Sequence, residues 1–222
     1  MKEISFRNSE EKIGIGKIVC VGRNYAKHAA ELGNEVPKFP IIFIKPSSTV
    51  IFSGESVVHP DYSDDLHHEV ELVILIGKDV KDADNISAED AIYGYGVGLD
   101  MTLRDLQNQF KDKGEPWTLA KVFDTAAVLS NFVKKEEYNS ELNEKIWLKV
   151  NGEIKQSSSL NNMVFNPVEI IKFISKRMTL EKGDLIMTGT PEGVSRVVPG
   201  DSIEAGIENI GELKTNIIHK NN

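Results

Sequence analysis

The apolar positions of residues 66–77 predict a strand, because aliphatic and β-branched residues fill the segment and Gly77 closes it. Side chains alternate faces along a strand, so Glu69 and Glu71 point the same way, about 7 Å apart. Beyond these acids both faces are apolar, which predicts a strand buried on both sides. Two carboxylates at the end of such a strand are costly unless they reach solvent or meet positive charge. The strand itself leaves both outcomes open.

Other short apolar runs predict further strands, and three or four segments predict helices, without regular alternation of strand and helix. This pattern favours an α+β, strand-dominated single domain. We predict an N-terminal arm or strand over residues 1–17 and one domain over residues 18–222. Gly14 and Gly16 precede the strand predicted at 18–21 instead of following it, which disfavours a dinucleotide-binding Rossmann half.

The 222-residue chain has a formal net charge of −8 at pH 7, which argues against nucleic acid as its main partner. The single cysteine, Cys20, excludes an intramolecular disulfide and Cys-based metal sites. It lies in an apolar strand, where we predict a packed hydrophobe and not a nucleophile. Residues 1–13 lack the apolar run of a signal peptide or membrane span. We therefore predict a cytoplasmic protein without a membrane partner.

A short helix is predicted over residues 25–32, with Asn24 as its N-cap and Gly33 just past its end. A helix of about eight residues is marginally stable in isolation. The segment therefore needs to pack against the rest of the protein, and it could open and close. His28 and Glu31 share one face at spacing i, i+3. A carboxylate beside an imidazole orients the ring and raises its basicity, as a general base requires. A solvated surface pair is the alternative.

Three glycines alternate along a predicted strand that ends at Asp100. Gly94, Gly96 and Gly98 share one face with this aspartate. A face without side chains allows the close approach of either a ligand or another part of the backbone. The glycines alone favour a close-packed crossing, whereas Asp100 points to a ligand.

The helix predicted over residues 103–113 begins with Thr102 as N-cap and carries Arg104 and Gln107 on the face of its first turn. Arg104 could bind a substrate carboxylate in bidentate fashion, and a surface ion pair is the alternative. Lys121 follows in an apolar stretch. A lysine there is either desolvated and functional or extends its ammonium group to the surface.

The acidic residues of the two strands, Glu69, Glu71 and Asp100, form a candidate metal site. Oxygen ligands without Cys or suitably spaced His favour a hard cation, Mg²⁺, with Mn²⁺ or Ca²⁺ as alternatives. Mg²⁺ usually keeps coordination positions open for water or substrate oxygens. Together with Arg104, Gln107 and Lys121, these acids form a coherent polar site.

A set of motifs spread in order over residues 18–218 resembles the fumarylacetoacetate hydrolase family, in particular its small single-domain acylpyruvase-like branch. The motifs are VGRNYA at 21–26, FIKPS at 43–47, HHEVE at 67–71, LDMTLRDLQ at 99–107, WTLAK at 117–121, WLKVNG at 147–152 and TGTPEGV at 188–194. The resemblance implies a mixed β-sandwich roll and a homodimer. It also implies that residues 18–222 are the catalytic module.

The same resemblance implies roles for individual residues. The implied ligands of a divalent cation, usually Mg²⁺, are Glu69, Glu71 and Asp100. The implied catalytic residues are His28 and Glu31, a dyad on a lid helix, and Lys121. The implied substrate-binding residues are Arg23, Arg104, Gln107 and Thr190. Two positions depart from the family pattern: Val122 stands where a small or hydroxyl residue is common, and Ser195 replaces a common glycine.

These features predict a Mg²⁺-dependent hydrolase that cleaves the C–C bond of acylpyruvate-type 2,4-diketo acids, with oxaloacetate decarboxylation as a related activity. A small-molecule 2-oxo acid is the predicted substrate. An isomerase or tautomerase of 2-oxo or 2-hydroxymuconate-type diacids is the alternative, because the same site stabilises the enolate that both reactions need. A non-catalytic, metal-stabilised binding protein is a third hypothesis.

Overall fold

The computed structural model describes residues 2–138 and 141–220, and within them the chain forms seventeen strands and five α-helices. In chain order the strands are β1 (Glu3–Phe6), β2 (Ser9–Gly14), β3 (Ile18–Gly22), β4 (Ile41–Lys45), β5 (Val50–Phe52), β6 (Val57–His59), β7 (Leu66–His67), β8 (Val70–Ile76), β9 (Ile92–Asp100), β10 (Thr102–Leu103), β11 (Ala127–Leu129), β12 (Val133–Lys134), β13 (Lys145–Val150), β14 (Glu153–Ser159), β15 (Leu185–Met187), β16 (Ser202–Ile207) and β17 (Gly211–His219). The helices are α1 (Ala26–Glu31), α2 (Asn85–Ala91), α3 (Arg104–Lys113), α4 (Thr118–Lys121) and α5 (Pro167–Ser175).

The larger sheet contains eight strands, seven of them in the order β4-β3-β15-β8-β9-β11-β5, with β12 paired to β9. Two neighbouring pairs, β3 with β15 and β11 with β5, are parallel. The other pairs of this sheet are antiparallel. Every residue of β8 is buried, as its apolar pattern predicts.

The second sheet has five strands in the order β14-β13-β16-β17-β6. Its strands β13, β16 and β17 pack against β8 or β9 of the larger sheet. Burial alternates along β17, where Leu213, Thr215 and Ile217 face the core. The two layers confirm the predicted α+β, strand-dominated fold and the mixed β-sandwich roll that the resemblance implies.

The strand predicted over residues 66–77 is interrupted at His68 and Glu69, and it therefore forms two strands, β7 and β8. β7 pairs with β10, whereas β8 pairs with β9 and β15. The buried His68 ring lies at this break between the Gln156 amide and the Ser195 hydroxyl, 2.9 Å from each. These two hydrogen bonds give both ring nitrogens a partner and hold the ring at the break between the strands.

The glycine-lined face of β9 is a close-packed crossing and not a ligand floor. A Cβ atom at Gly94 would lie 2.5 Å from the carbonyl oxygen of Val133, and one at Gly96 would lie 2.5 Å from the Phe132 ring. At Gly98 the clash would be with the side chains of Val73 on β8 and Met187 on β15, at 2.6 and 2.8 Å. The glycines therefore let neighbouring segments approach β9, and only Asp100 at its end contributes to the polar site.

Two predicted helix N-caps, Asn24 and Thr102, are wrong. The N-caps are Tyr25 for α1 and Leu103 for α3, and neither forms a side-chain capping bond. Asn24 is fully buried, and its amide joins the backbone at residues 165 and 188. Its short polar side chain thus satisfies distant backbone groups instead of the local helix end.

The N-terminal segment forms an antiparallel hairpin, in which β1 pairs with β2. The domain boundary between residues 17 and 18 stays a prediction, and the outer ends of both predicted spans, residues 1 and 221–222, lie outside the described residues. In the described part of the chain, no helix has both the length and the apolar character needed to cross a bilayer.

Candidate metal centre and active site

Three carboxylates meet where β8 and β9 run side by side. Glu69 directly precedes β8, Glu71 lies on it, and Asp100 ends β9. The pairing of Glu71 with Gly98 and a 2.9 Å hydrogen bond from the Asp100 N–H to the Glu69 carbonyl fix their register. One oxygen of each side chain lies within 4.8 Å of the others, and all three residues are at least 95% buried. The structure therefore brings together the three predicted ligands in one place.

Two buried cations contact Glu69, and one of them, Lys121, also contacts Asp100. The Lys121 ammonium donates to Glu69 at 2.8 Å and to Asp100 at 2.7 Å, and the Arg104 guanidinium also donates to Glu69. Burial raises the pKa of the Glu69 carboxyl, but Lys121 and Arg104 outweigh this effect and hold it well below its usual range. Burial lowers the pKa of Lys121, but Asp100 and Glu69 outweigh it and leave the pKa raised. Lys121 is thus an ammonium ion at neutral pH.

Glu71 differs from its two neighbours because no Lys, Arg or His of the described residues forms an ion pair with it. Its carboxylate accepts a 2.7 Å hydrogen bond from the Gly189 N–H, and only 2% of the residue is exposed. Burial, Asp100 and Glu69 all raise the pKa of Glu71 well above its usual range. A buried carboxylate in this position requires a cation to be ionised at low cost. The three-oxygen donor set fits a hard divalent ion.

Lys45 is a buried cation that the sequence analysis did not assign to the site. It ends β4, is completely buried, and its ammonium lies 2.8 Å from Asp100. It also donates to the carbonyl oxygens of Met101, Lys121 and Ala126. Lys45 therefore fixes the end of β9 and the C-terminus of α4, which carry Asp100 and Lys121. A lone lysine at the end of an apolar strand was its signal in the sequence.

We expect Lys45→Met to destabilise the fold by about 3 to 5 kcal/mol, because the change leaves buried carbonyls and part of the Asp100 charge without a partner. Urea denaturation of this variant measures the loss. Lys38→Met is the matched control, since Lys38 is exposed. A loss below about 1 kcal/mol would show that the Lys45 contacts do not stabilise the site.

The predicted dyad lies on α1. His28 is 4% exposed, and its Nδ1 lies 3.3 Å from a carboxylate oxygen of Glu31. The Glu31 carboxylate also accepts from the Gly193 N–H, at 3.0 and 3.2 Å from its two oxygens. Burial lowers the pKa of His28 below its usual value, although Glu69 and Glu31 act in the opposite direction. A neutral imidazole held by a carboxylate has the properties of a general base.

The predicted substrate-binding residues line the same cavity as the acids. Arg104 donates to the Gln107 side chain, and its buried Nε has no hydrogen-bond partner in the described structure. A buried, unpaired guanidinium N–H is available to a substrate oxygen. Thr190 accepts a 2.8 Å hydrogen bond from Gln156. The cavity is lined by Arg23, His28, Glu69, Glu71, Asp100, Arg104, Gln107, Lys121 and Thr190, among others.

A buried network behind the cavity positions Thr190. His68 lies 2.9 Å from Ser195 and 2.9 Å from Gln156, and Gln156 donates to both Thr190 and the carbonyl of Pro191. Burial lowers the pKa of His68 to about 4, so the ring is neutral. Ser195 thus has a structural partner. The sequence alone does not identify the roles of His68 and Gln156. The two partners of His68, Gln156 and Ser195, lie 88 and 127 residues further along the chain, and Thr190 lies 34 residues beyond Gln156.

The cavity between these side chains measures about 30 Å³. Pockets that bind small molecules usually measure about 300 to 1,000 Å³. Segment α1 forms one wall through His28, and the link from Glu31 to Gly193 holds this segment against the loop that follows β15. A 2-oxo acid does not fit the cavity in this conformation, and we expect α1 to move when substrate enters.

Comparison with known proteins agrees with this geometry. The family model described as fumarylacetoacetate (FAA) hydrolase C-terminal matches residues 17–218. The chain belongs to the fumarylacetoacetate hydrolase family. Because the match spans most of the chain, it covers the candidate metal ligands, the predicted dyad and all predicted substrate contacts. The roles of these residues stay predictions.

Two relatives in this family act on oxaloacetate according to their names. The chain is 46% identical over 197 residues to a mitochondrial oxaloacetate tautomerase of Bos taurus, and the match covers 89% of each chain. It is 49% identical over 192 residues to a mitochondrial oxaloacetate decarboxylase of Dictyostelium discoideum, covering 86% of this chain and 88% of the relative.

A solved structure in the same family, fumarylpyruvate hydrolase from Pseudomonas aeruginosa in complex with Mn²⁺ and pyruvate, superposes on this chain with a TM-score of 0.95. The two proteins are 33% identical, and the match covers 99% of this chain and 96% of the other. The fold and the family are therefore shared along nearly the full length.

Proposed function

We propose that the protein is a divalent-metal-dependent enzyme acting on 2-oxo acids, and that its main reaction is the keto–enol tautomerisation of oxaloacetate. The observation that carries this proposal is the buried Glu69–Glu71–Asp100 cluster, which the Lys121 ammonium contacts and whose cavity the His28 imidazole also lines. The names of the two relatives support oxaloacetate as the substrate. The Mn²⁺ of the fumarylpyruvate hydrolase complex supports a divalent ion. Mg²⁺ is our proposed ion, with Mn²⁺ or Ca²⁺ as alternatives.

The three carboxylates would hold the ion. When bound, it would supply Lewis-acid stabilisation of negative charge on the keto oxygen of a 2-oxo acid. Lys121, kept as an ammonium by Asp100 and Glu69, stabilises the same developing charge from the protein side. Arg104 binds the 1-carboxylate through its unpaired Nε–H.

His28 acts as the base. Its neutral ring takes a proton from C3 of the keto form, and the electron pair of that C–H bond becomes the C2–C3 double bond of the enol. The C2 oxygen then takes up a proton, so the reaction is balanced without a co-reactant. Glu31 holds the ring at 3.3 Å and stabilises the imidazolium that forms.

Hydrolysis of acylpyruvate-type diketo acids is the second candidate, and the same dyad supports it. His28, oriented by Glu31, would deprotonate a water molecule that attacks the C4 carbonyl. The C3–C4 bond then breaks, which leaves a carboxylic acid and the enolate of pyruvate. The similarity to fumarylpyruvate hydrolase supports this reaction. Decarboxylation of oxaloacetate would pass through the same enolate.

A spectrophotometric panel tests the proposal. We expect Mg²⁺-dependent interconversion of enol and keto oxaloacetate, loss of this activity in EDTA, and recovery when Mg²⁺ is restored. Acylpyruvates and hydroxymuconate-type diacids in the same panel distinguish the hydrolase and isomerase alternatives. Full activity after chelation would disprove the metal assignment. A rise in thermal stability with Mg²⁺ but no turnover of any 2-oxo acid would indicate the non-catalytic binding protein.

Two further proposals concern the state of the protein in the cell. The homodimer finds support in β4, an edge strand of the larger sheet whose outer side pairs with no strand in the described part of the chain and on which Ile44 is exposed. The predicted cytoplasmic location has no support in the comparisons, because the two relatives carry mitochondrial names. Both stay predictions.

A further inference from the structure

The outer wall of the cavity carries two cations that have no carboxylate partner. Arg23 and Lys111 line the cavity, and no ion pair of the described residues includes either of them. Both lie against one indole: the Arg23 guanidinium is 6.0 Å from the centre of the Trp117 ring, and the Lys111 ammonium is 5.6 Å from it. Unpaired cations facing a cavity in a protein of net charge −8 require an explanation.

The inner part of the cavity does not need these two charges. Its three carboxylates already face three buried cations, Lys45, Lys121 and Arg104. A divalent ion adds two further positive charges, and one substrate carboxylate does not neutralise them. Arg23 and Lys111 add two further positive charges to this surplus.

Helix α3 aims Lys111 at the same space as the substrate contacts of the inner cavity. Arg104, Gln107 and Lys111 have spacings of three and four residues, which places them on one helix face, and all three line the cavity. Lys111 lies about 10 Å further along the helix axis than Arg104. This face therefore presents an anion-binding group at each end of the cavity.

The electrostatics of Lys111 show that its charge is unsatisfied. Burial, followed by the neighbouring charges of Arg104 and Arg23, lowers the pKa of Lys111 to about 8. Arg23 in turn has a φ of 60°, a left-handed backbone conformation that is uncommon for a residue with a side chain. Such conformations concentrate at functional sites, where the surrounding structure enforces them. Here the next residue, the buried Asn24, anchors the backbone.

We propose that Arg23 and Lys111, lying against Trp117, bind the second carboxylate of the substrate and make the enzyme selective for 2-oxo diacids over 2-oxo monoacids. The inference rests on the proposed function, because it takes the 1-carboxylate and the keto oxygen to lie at the metal centre. It assigns Lys111 a role in substrate specificity. It also gives Arg23 a defined ligand group.

The test compares oxaloacetate with its 4-ethyl ester, which keeps the 1-carboxylate and the keto group but lacks the second charge. We expect K111Q to lower the preference for oxaloacetate, expressed as the ratio of the two kcat/KM values, by about 10- to 100-fold, the value of a charged hydrogen bond. K111R is expected to keep most of the preference. K113Q is the matched control, since Lys113 is exposed on the same helix, and it should leave the ratio unchanged.

An unchanged ratio in K111Q, or an equal loss on both substrates, would overturn the inference while leaving the proposed function intact. Calorimetry with the Mg²⁺-loaded enzyme tests binding independently of turnover. 2-Oxoglutarate and 2-oxopentanoate are a diacid and a monoacid of equal chain length. The wild type should bind the diacid more tightly, and K111Q should remove this difference. Equal affinity of the wild type for both acids would overturn the inference, whereas absent turnover of oxaloacetate would count only against the proposed function.

Discussion

Glu71→Gln is expected to lower Mg²⁺-dependent turnover on the order of 10³-fold, because a lost ligand removes several kcal/mol of transition-state stabilisation. Glutamine keeps the shape of the side chain and its place beside the Gly189 N–H. It removes the one negative charge of the cluster that has no cationic partner among the described residues. Steady-state kinetics over a range of Mg²⁺ concentrations measure the effect on both apparent affinity and rate.

The same substitution should raise the thermal stability of the metal-free protein. Glu71 is buried beside Asp100 and Glu69, and their mutual repulsion raises its pKa. Glutamine is neutral in both the folded and the unfolded state and so avoids the cost that burial and this repulsion place on Glu71; the variant should therefore unfold at a higher temperature in EDTA but gain little from added Mg²⁺. Glu212→Gln, an exposed change on β17, is the control. A variant that keeps the full Mg²⁺-dependent rise in Tm would show that the ion binds elsewhere.

His28→Ala is expected to lower turnover by about 10²- to 10⁴-fold, the range for loss of a general base. Burial lowers the pKa of His28, so the neutral, active form persists to lower pH than for a free imidazole. On the acid side, the wild-type kcat/KM should therefore fall only below about pH 6.5. Glu31→Gln should cause a smaller loss and lower this pKa further, since Glu31 raises it.

His219→Ala is the matched control, because His219 is exposed at the end of β17. Unchanged turnover in His28→Ala, combined with complete loss in Lys121→Ala, would contradict both the proton abstraction and the hydrolytic mechanism. In that case Lys121 would have to be the group that transfers the proton.

The parts of the site that the sequence predicted depend on local spacing or on neighbouring strands. Glu69, Glu71 and Asp100 meet because β8 pairs with β9. His28 and Glu31 meet because they lie three residues apart on one helix. The strand content likewise follows from short apolar runs, and this is why the fold class was predictable.

The parts that the sequence did not predict depend on contacts between distant segments. Lys45 donates to the carbonyl oxygens of Met101 and Ala126, which are 56 and 81 residues away. Its position in an apolar strand marks the residue but does not identify these partners. Asn24 has the sequence pattern of an N-cap, yet its amide binds backbone that lies 141 and 164 residues further along. Lys111 has the pattern of a surface residue on a polar helix. For all three residues, tertiary packing determines the position and the partners of the side chain, and local sequence propensity does not.

The small cavity has a kinetic consequence. In the conformation described here, the wall leaves only about 30 Å³ beside the acids, which is too little room for a 2-oxo acid. Association then depends on how often α1 opens, so the second-order rate constant falls below the diffusion limit in proportion to the open fraction. The Glu31 carboxylate that accepts from the Gly193 N–H also contacts His28 Nδ1, so the same side chain links α1 to the loop and orients the imidazole. We therefore expect water exclusion and assembly of the base to accompany the same motion of α1, and product release to depend on its rate.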